Sequence, residues 1–240
     1  MKKILPLICT LAFIAQPAAA ADINALNLLL QTQFKTLSED LGSALSYKPV
    51  TPAEPLGILG FDIGIVVTAT DISRSTASLN TATNSTDSIK TLIVPKLHVA
   101  KGLPMNFDIA AFISKVPTTN ISLFGGEIRY SPLAGNMAMP AVAVRGALTK
   151  LTGVDQLDLD TKSLDVSISK GFLMFTPYAG VGQVWVTSTP NVGAALKEES
   201  FSKSKIFIGG NLNLGLMNIA LEGDKTGDAK SASLKVGLRF

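Results

Sequence analysis

The chain ends on Leu234-Lys235-Val236-Gly237-Leu238-Arg239-Phe240, where apolar side chains alternate with charged or small ones up to the final residue. Successive side chains of a β-strand point to opposite faces, so such a run belongs to a sheet with two unlike surroundings, one apolar and one polar. An antiparallel sheet closed on itself in a bilayer supplies both, with lipid outside and a polar lumen inside. A soluble sandwich with one buried face is the competing architecture.

Composition separates the two. Mean hydropathy is +0.35, and 47% of residues are apolar against 16% charged. Yet no stretch after Ala21 approaches the roughly 20 consecutive apolar residues of a spanning helix. Hydrophobicity spread thinly in period two is the signature of a membrane barrel wall. Ten alternating segments carry it: Gly57 to Thr70, Leu92 to Ala100, Met105 to Ser114, Ser122 to Ser131, Ala141 to Lys150, Lys162 to Lys170, Met174 to Thr187, Ser202 to Leu214, Met217 to Asp224 and Lys230 to Phe240. The expected fold is all-β, a closed antiparallel transmembrane barrel of about ten strands, with eight and twelve left open.

Three stretches divide the chain. Residues 1–20 read as a secretory signal peptide: Lys2 and Lys3 lead, Ile4 to Phe13 is mostly apolar, and Ala18-Ala19-Ala20 suits signal peptidase. The lone cysteine, Cys9, lies in that leader, so the mature chain is expected to form no disulfide and to offer no thiolate. Residues 21–55 combine a helix and a linker. Leu26, Leu30, Phe34, Leu37, Leu41 and Leu45 recur at three- and four-residue steps, marking an amphipathic helix from about Asp22 to Ser46, and Pro49, Pro52 and Pro55 end it. It could plug the lumen, cap the periplasmic mouth or lie on the inner leaflet; its apolar stripe favours the periplasmic side over a charged lumen. Residues 56–240 form the barrel.

If the barrel starts from the periplasm, the loop Asp71 to Lys90 faces outward and the turn Lys101-Gly102-Leu103-Pro104 faces inward, and so on in alternation. Loops at Val154 to Thr161, Ser188 to Ser200 and Lys225 to Ala229 then fall outside. In this frame Phe61, Phe107, Tyr130, Phe172, Phe175, Tyr178 and Phe240 gather at the periplasmic headgroup level, with Trp185 and Phe201 near the outer rim.

The faces turned from lipid carry Asp62, Lys96, His98, Asp108, Glu127, Arg129, Arg145, Asp165, Gln183, Lys203, Lys205, Asn211, Asn213, Asn218, Glu222, Asp224, Lys235 and Arg239. Side chains nearly fill the interior of a narrow barrel, so a paired structural network is the expectation, set by the cost of unpaired buried charge. A narrow, weakly selective channel is the functional alternative, with Arg129, Arg145, Lys203 and Lys205 as its candidates.

Enzyme readings are weaker. Ten strands is the count of the omptin proteases, whose aspartate and histidine pair lies high on the wall, but the sole histidine, His98, falls lower and has no recognisable partner motif. Gly180 and Gly182 do not complete a phosphate loop; in a barrel wall they are expected to relieve curvature or to make room for a large neighbour. Asp155, Asp158 and Asp160 lack the glycine and bidentate glutamate of a calcium loop. No catalytic residue, metal or cofactor is expected. The 21 basic and 18 acidic residues form no basic runs, so nucleic acid is not an expected partner.

The terminal run resembles the signal by which the barrel-assembly machinery recognises outer-membrane clients, carried by Leu234, Val236, Leu238 and Phe240. Over nearly the whole mature chain, Leu45 to Gly64, the turn Lys101 to Pro104 and Leu151 to Tyr178 resemble an uncharacterised proteobacterial outer-membrane β-barrel family, a domain of unknown function. The likeness implies export through the periplasm to the outer membrane, among phospholipid and lipopolysaccharide, and brings no activity. The expected function is a narrow channel, small-solute transporter or wall component. A surface adhesin or receptor using residues 71–90 and 188–200 is the alternative, and a membrane hydrolase ranks last.

Overall fold

The period-two segments become ten antiparallel strands that close in sequence order, with the first paired to the last. The computed structural model describes residues 22–86 and 89–240; the leader reading and Cys9 lie outside them. The strands are β1 (Phe61–Asp71), β2 (Thr91–Gly102), β3 (Phe107–Lys115), β4 (Ser122–Leu133), β5 (Ala141–Thr152), β6 (Leu157–Ser169), β7 (Phe175–Pro190), β8 (Glu199–Leu214), β9 (Met217–Thr226) and β10 (Ala229–Arg239). The closing seam pairs Asp62 with Arg239 through to Thr70 with Ser231. Full closure leaves no free sheet edge. The expected barrel and its strand count are what the chain forms.

Outward positions are apolar and exposed, as Ile65 at 61%, Val181 at 59% and Ile208 at 69% illustrate. The two ends differ. One end, called the terminal end below, holds the β1–β10 termini: Phe61 and Phe240 exchange backbone hydrogen bonds and stack with ring centroids 5.6 Å apart. Phe107 and Tyr130 stack beside them at 4.7 Å. The opposite, loop end carries the long β1–β2 connection, which contains α2 (Thr76–Thr83).

Three sequence expectations need correction. The segment 157–160, expected in a loop, is the start of β6, because Leu157 and Leu159 point inward and break the assumed apolar-out alternation. For the same reason Gln183 points outward while Val184 and Val186 are buried. Tyr178, expected in a headgroup belt, is 3% exposed and faces the lumen, where its hydroxyl donates to Glu222. The expectation for Gly180 and Gly182 fits the structure: a Cβ at Gly180 would lie 2.3 Å from the Phe207 ring, and one at Gly182 would lie 2.1 Å from Asp165 Oδ1.

Candidate functional site: the occupied lumen

The amphipathic stripe forms α1 (Gln31–Leu45), which starts nine residues later than the expected Asp22 because Leu26 lies in a separate short 3-10 turn and Leu30 caps the helix, and the helix lies inside the barrel, not on the periplasmic side. Its apolar face does not meet the charged lumen the sequence suggested. Phe34, Leu37, Leu41, Ala44 and Leu45 pack with inward residues from the loop-end half of the wall, among them Leu92, Val94, Leu123, Leu151, Leu159, Val184 and Val186. The barrel widens with strand number, and a helix is about 10–12 Å across with its side chains. Small inward residues such as Ala147 and Ser163 and the helix's own Gly42 make the fit: a Cβ on Gly42 would lie 2.7 Å from Val186 Cγ1.

Upstream of α1 the chain lies across the loop end and fastens it. Ile23 N–H donates to Asn120 Oδ1 at 3.1 Å and Leu26 N–H to Gln156 Oε1 at 2.9 Å. Asn24 and Ala25 N–H both donate to the Ala82 carbonyl of α2. Gln31 Nε2 donates to Glu199 Oε1 at 2.6 Å, and its Oε1 accepts from Lys197 N–H at 2.8 Å. Four connections are tied to one segment. Beside them Arg74 Nη1 reaches Asp228 at 2.8 Å, its Nη2 reaches Glu39 at 3.1 Å, and Asp40 accepts from Ser75 N–H at 3.0 Å. Burial pushes the Asp40 carboxyl above its ordinary range, against the opposing pull of Ser75 and Arg74.

Below α1, residues 46–56 run as an uncoiled strap, bent at residues 51, 53 and 54 and left-handed at Val50, toward the terminal end, where β1 begins. An uncoiled backbone in a closed interior must find partners for its N–H and C=O groups. Pro49, Pro52 and Pro55 remove three donors from that account. Lumen side chains take up several of the others. Lys205 Nζ donates to the Tyr47 carbonyl at 2.9 Å and Lys96 Nζ to the Lys48 carbonyl at 3.2 Å. Glu222 accepts from Val50 N–H at 3.0 Å. Arg129 Nη1 donates to the Pro52 carbonyl at 2.6 Å, Ser131 Oγ to the Ala53 carbonyl at 2.8 Å, and Asp108 Oδ1 accepts from Leu56 N–H at 2.9 Å.

The same side chains neutralise one another. Arg129 pairs with Asp108 at 2.7 Å, Arg145 with Glu127 at 2.6 Å, and Lys235 with Asp62 at 2.5 Å. Asp165 lies 3.3 Å from Lys205 and 4.0 Å from Arg145. Strap and helix add Lys48 to Asp224 at 2.9 Å and Glu39 to Lys203 at 3.2 Å. Arg239 spans both systems, with Nε 3.5 Å from Asp62 and Nη2 donating to Thr51 Oγ1 at 3.2 Å. Asn218 donates to Asn211 and Asn213 at 2.6 and 2.7 Å.

Apart from Gln183, the sequence-derived lumen set therefore does lie on the inward face. Arg129, Arg145, Lys203 and Lys205 do not converge on one vacant point; each holds a carboxylate, and Arg129 and Lys205 also hold the strap. His98 is 2% exposed and its Nε2 lies 3.0 Å from Tyr47 Oη, away from the loop-end rim. Tyr47, Lys48, Thr51 and Ser131 carry no signal of this role in the sequence, and Tyr178 reads there as a headgroup aromatic. The prolines at three-residue spacing were the available signal of an uncoiled segment economical in donors.

No protein-family model matches the chain, and no curated protein does. Solved structures are similar at low identity. The N-terminal β-barrel domain of Pseudomonas aeruginosa OprF gives a TM-score of 0.36 at 14% identity, over 74% of this chain and 97% of that one. The KdgM porin gives 0.39 at 7%, over 75% and 99%. Ail, the attachment invasion locus protein of Yersinia pestis, gives 0.33 at 15%, over 78% and 99%.

Proposed function

We propose that the protein is a non-enzymatic outer-membrane barrel whose lumen is held shut by its own amino-terminal segment, a wall component in which any conduction requires that segment to move. The carrying observation is the strap: lumen charges that could have lined a pore are bonded to each other and to the backbone of residues 47–56. The apolar outward belt supports residence in a bilayer. With the loop end outside, the exposed tips Leu59, Met105, Met137 and Leu173 of the terminal end lie at the inner headgroup level. Val236, Leu238 and Phe240, exposed at 47%, 54% and 60%, are then presented along the outer face of the last strand, where assembly machinery would meet them.

Planar-bilayer recording of refolded full-length protein tests the proposal. The intact chain is expected to be silent, and the double substitution Leu37→Asp with Leu41→Asp, which places two charges in the apolar half of the lumen, is expected to give stepwise currents. Steady conductance by the unaltered protein sinks the reading. A second reading, a surface interaction protein, is favoured by the anchoring of four loop-end connections through residues 23–31, which presents a preorganised outer surface.

A further inference from the structure

The wall has a break in its ladder. β2 is paired with β1 along its whole length, from Asp71↔Thr91 to Phe61↔Lys101. Its pairing with β3 runs only from Gly102↔Asp108 to Lys96↔Ser114 and stops there, although β3 continues to Lys115, which pairs with Ser122 of β4. Pro95 stands at the stop. It has no N–H to donate, and a proline inside a sheet is confined to places where the ladder is interrupted. The Pro95 carbonyl is taken instead by the hydroxyl of Ser114.

A groove of about 380 Å³ opens on the outer face at this point, lined by outward Ile65, Leu97 and Ile113 together with Pro95, Lys96, Ser114 and, toward the loop end, Lys115. Those three apolar residues are 61%, 46% and 63% exposed. Directly behind the seam, Val94, Phe112 and Val116 are buried in the cluster that surrounds α1. Apolar surface thus lies on both sides of an unpaired stretch of wall, and an exposed cation sits at its rim.

We propose that this notch seats one acyl chain of a phosphate-bearing membrane lipid, with the tail against Ile65, Leu97 and Ile113 and the phosphate on Lys115. The occupant follows from the setting: the groove lies on the apolar outer belt, Ile65, Pro95, Leu97 and Ile113 give it apolar walls, and the two charged residues that border it, buried Lys96 and exposed Lys115, are both positive. The inference rests on the barrel lying in a bilayer, as proposed above, but not on whether the lumen conducts.

Tryptophan quenching tests it. Trp185 is the chain's one tryptophan, so Trp185→Phe gives a silent background. Ile113→Trp reports on the notch, and Leu148→Trp, on an outward position of β5, reports on ordinary lipid contact. The barrels are placed in phosphatidylcholine vesicles containing increasing brominated phosphatidylglycerol. Half-quenching at residue 113 is expected at roughly tenfold lower mole fraction than at residue 148. Lys115→Glu is expected to erase the preference for phosphatidylglycerol. Pro95→Val, which returns an N–H to the seam, is expected to bring residue 113 level with residue 148. Equal quenching at the two sites in the Pro95 background overturns the proposal, as does a preference that survives both substitutions. Absence of quenching at residue 148 overturns the membrane reading itself.

Discussion

The two halves of the lumen solve the same problem with opposite chemistry. Toward the loop end the interior is apolar, and α1 fills it as one helix fills the core of a bundle, by shape and by exclusion of water. Toward the terminal end it is lined with paired charges, and the chain passes through uncoiled, with several of its backbone groups bonded to the wall. A helix satisfies its own backbone, so its surroundings can be oily. An uncoiled strap cannot, so its surroundings must donate and accept. Where the chain uncoils after Leu45, the wall changes character with it: Leu159 and Val186 above give way to Asp165 and Tyr178 below on the same strands.

The contrast predicts different responses to substitution. In the polar half, Arg129→Ala strands the buried carboxylate of Asp108 and the carbonyls of Pro52 and Glu54. The expected loss is about 3–5 kcal/mol, read by urea unfolding in detergent micelles and by faster proteolysis within residues 46–56. Removing the charge with its partner, as Arg129→Met with Asp108→Leu, should recover part of the unfolding loss and none of the proteolytic protection. Full recovery of both would mean that the pair does not hold the strap.

In the apolar half, a smaller loss of about 1–3 kcal/mol is expected from Gly42→Val, because the new side chain must displace Val186. Its companion Val186→Ala should restore the fit, and unfolding midpoints of the two single variants and the double variant would show the compensation. Independent, additive losses would indicate that helix and wall are not in contact there.

The smallest effect is expected at Asp40, buried on α1 beneath the loop-end connection that carries Arg74 and Ser75. Burial raises the Asp40 carboxyl, so the folded protein holds that proton more tightly than the unfolded chain does. Its contribution is therefore fully present below the unfolded value of about 3.9 and is lost as pH rises through the folded value. Asp40→Asn keeps an acceptor for Ser75 N–H and removes the charge. A gain near neutrality smaller than either loss above is expected, shrinking toward zero in acid. A variant less stable than the parent at neutral pH would show that the link to Arg74 outweighs burial.

The strands were legible because an apolar outer face and a polar inner one write themselves into every second residue, from Ile63 and Ile65 on β1 to Val236 and Leu238 on β10. Reading failed where that contrast inverts. At the loop end Leu157, Leu159, Val184 and Val186 face in while Asp158, Asp160 and Gln183 face out, so β6 lost its start and Gln183 was placed in the lumen. The same inversion hid the seat of α1. The stripe of Phe34, Leu37 and Leu41 was plain, but its partner surface is shared among several strands and becomes one surface only after closure. The charges of the lower lumen were visible singly, whereas their common object, the backbone of residues 47–56, has no side-chain signature beyond its prolines.

Arg239 lies at the end of β10, and its guanidinium touches both the first strand, through Asp62, and the axial segment, through Thr51. Zippering of the final strand onto the first is consequently worth more when the interior has already been filled correctly, and an empty or misthreaded ring forfeits one of the contacts that fasten it. Closure of the ring and seating of the axial segment are thereby coupled through one side chain.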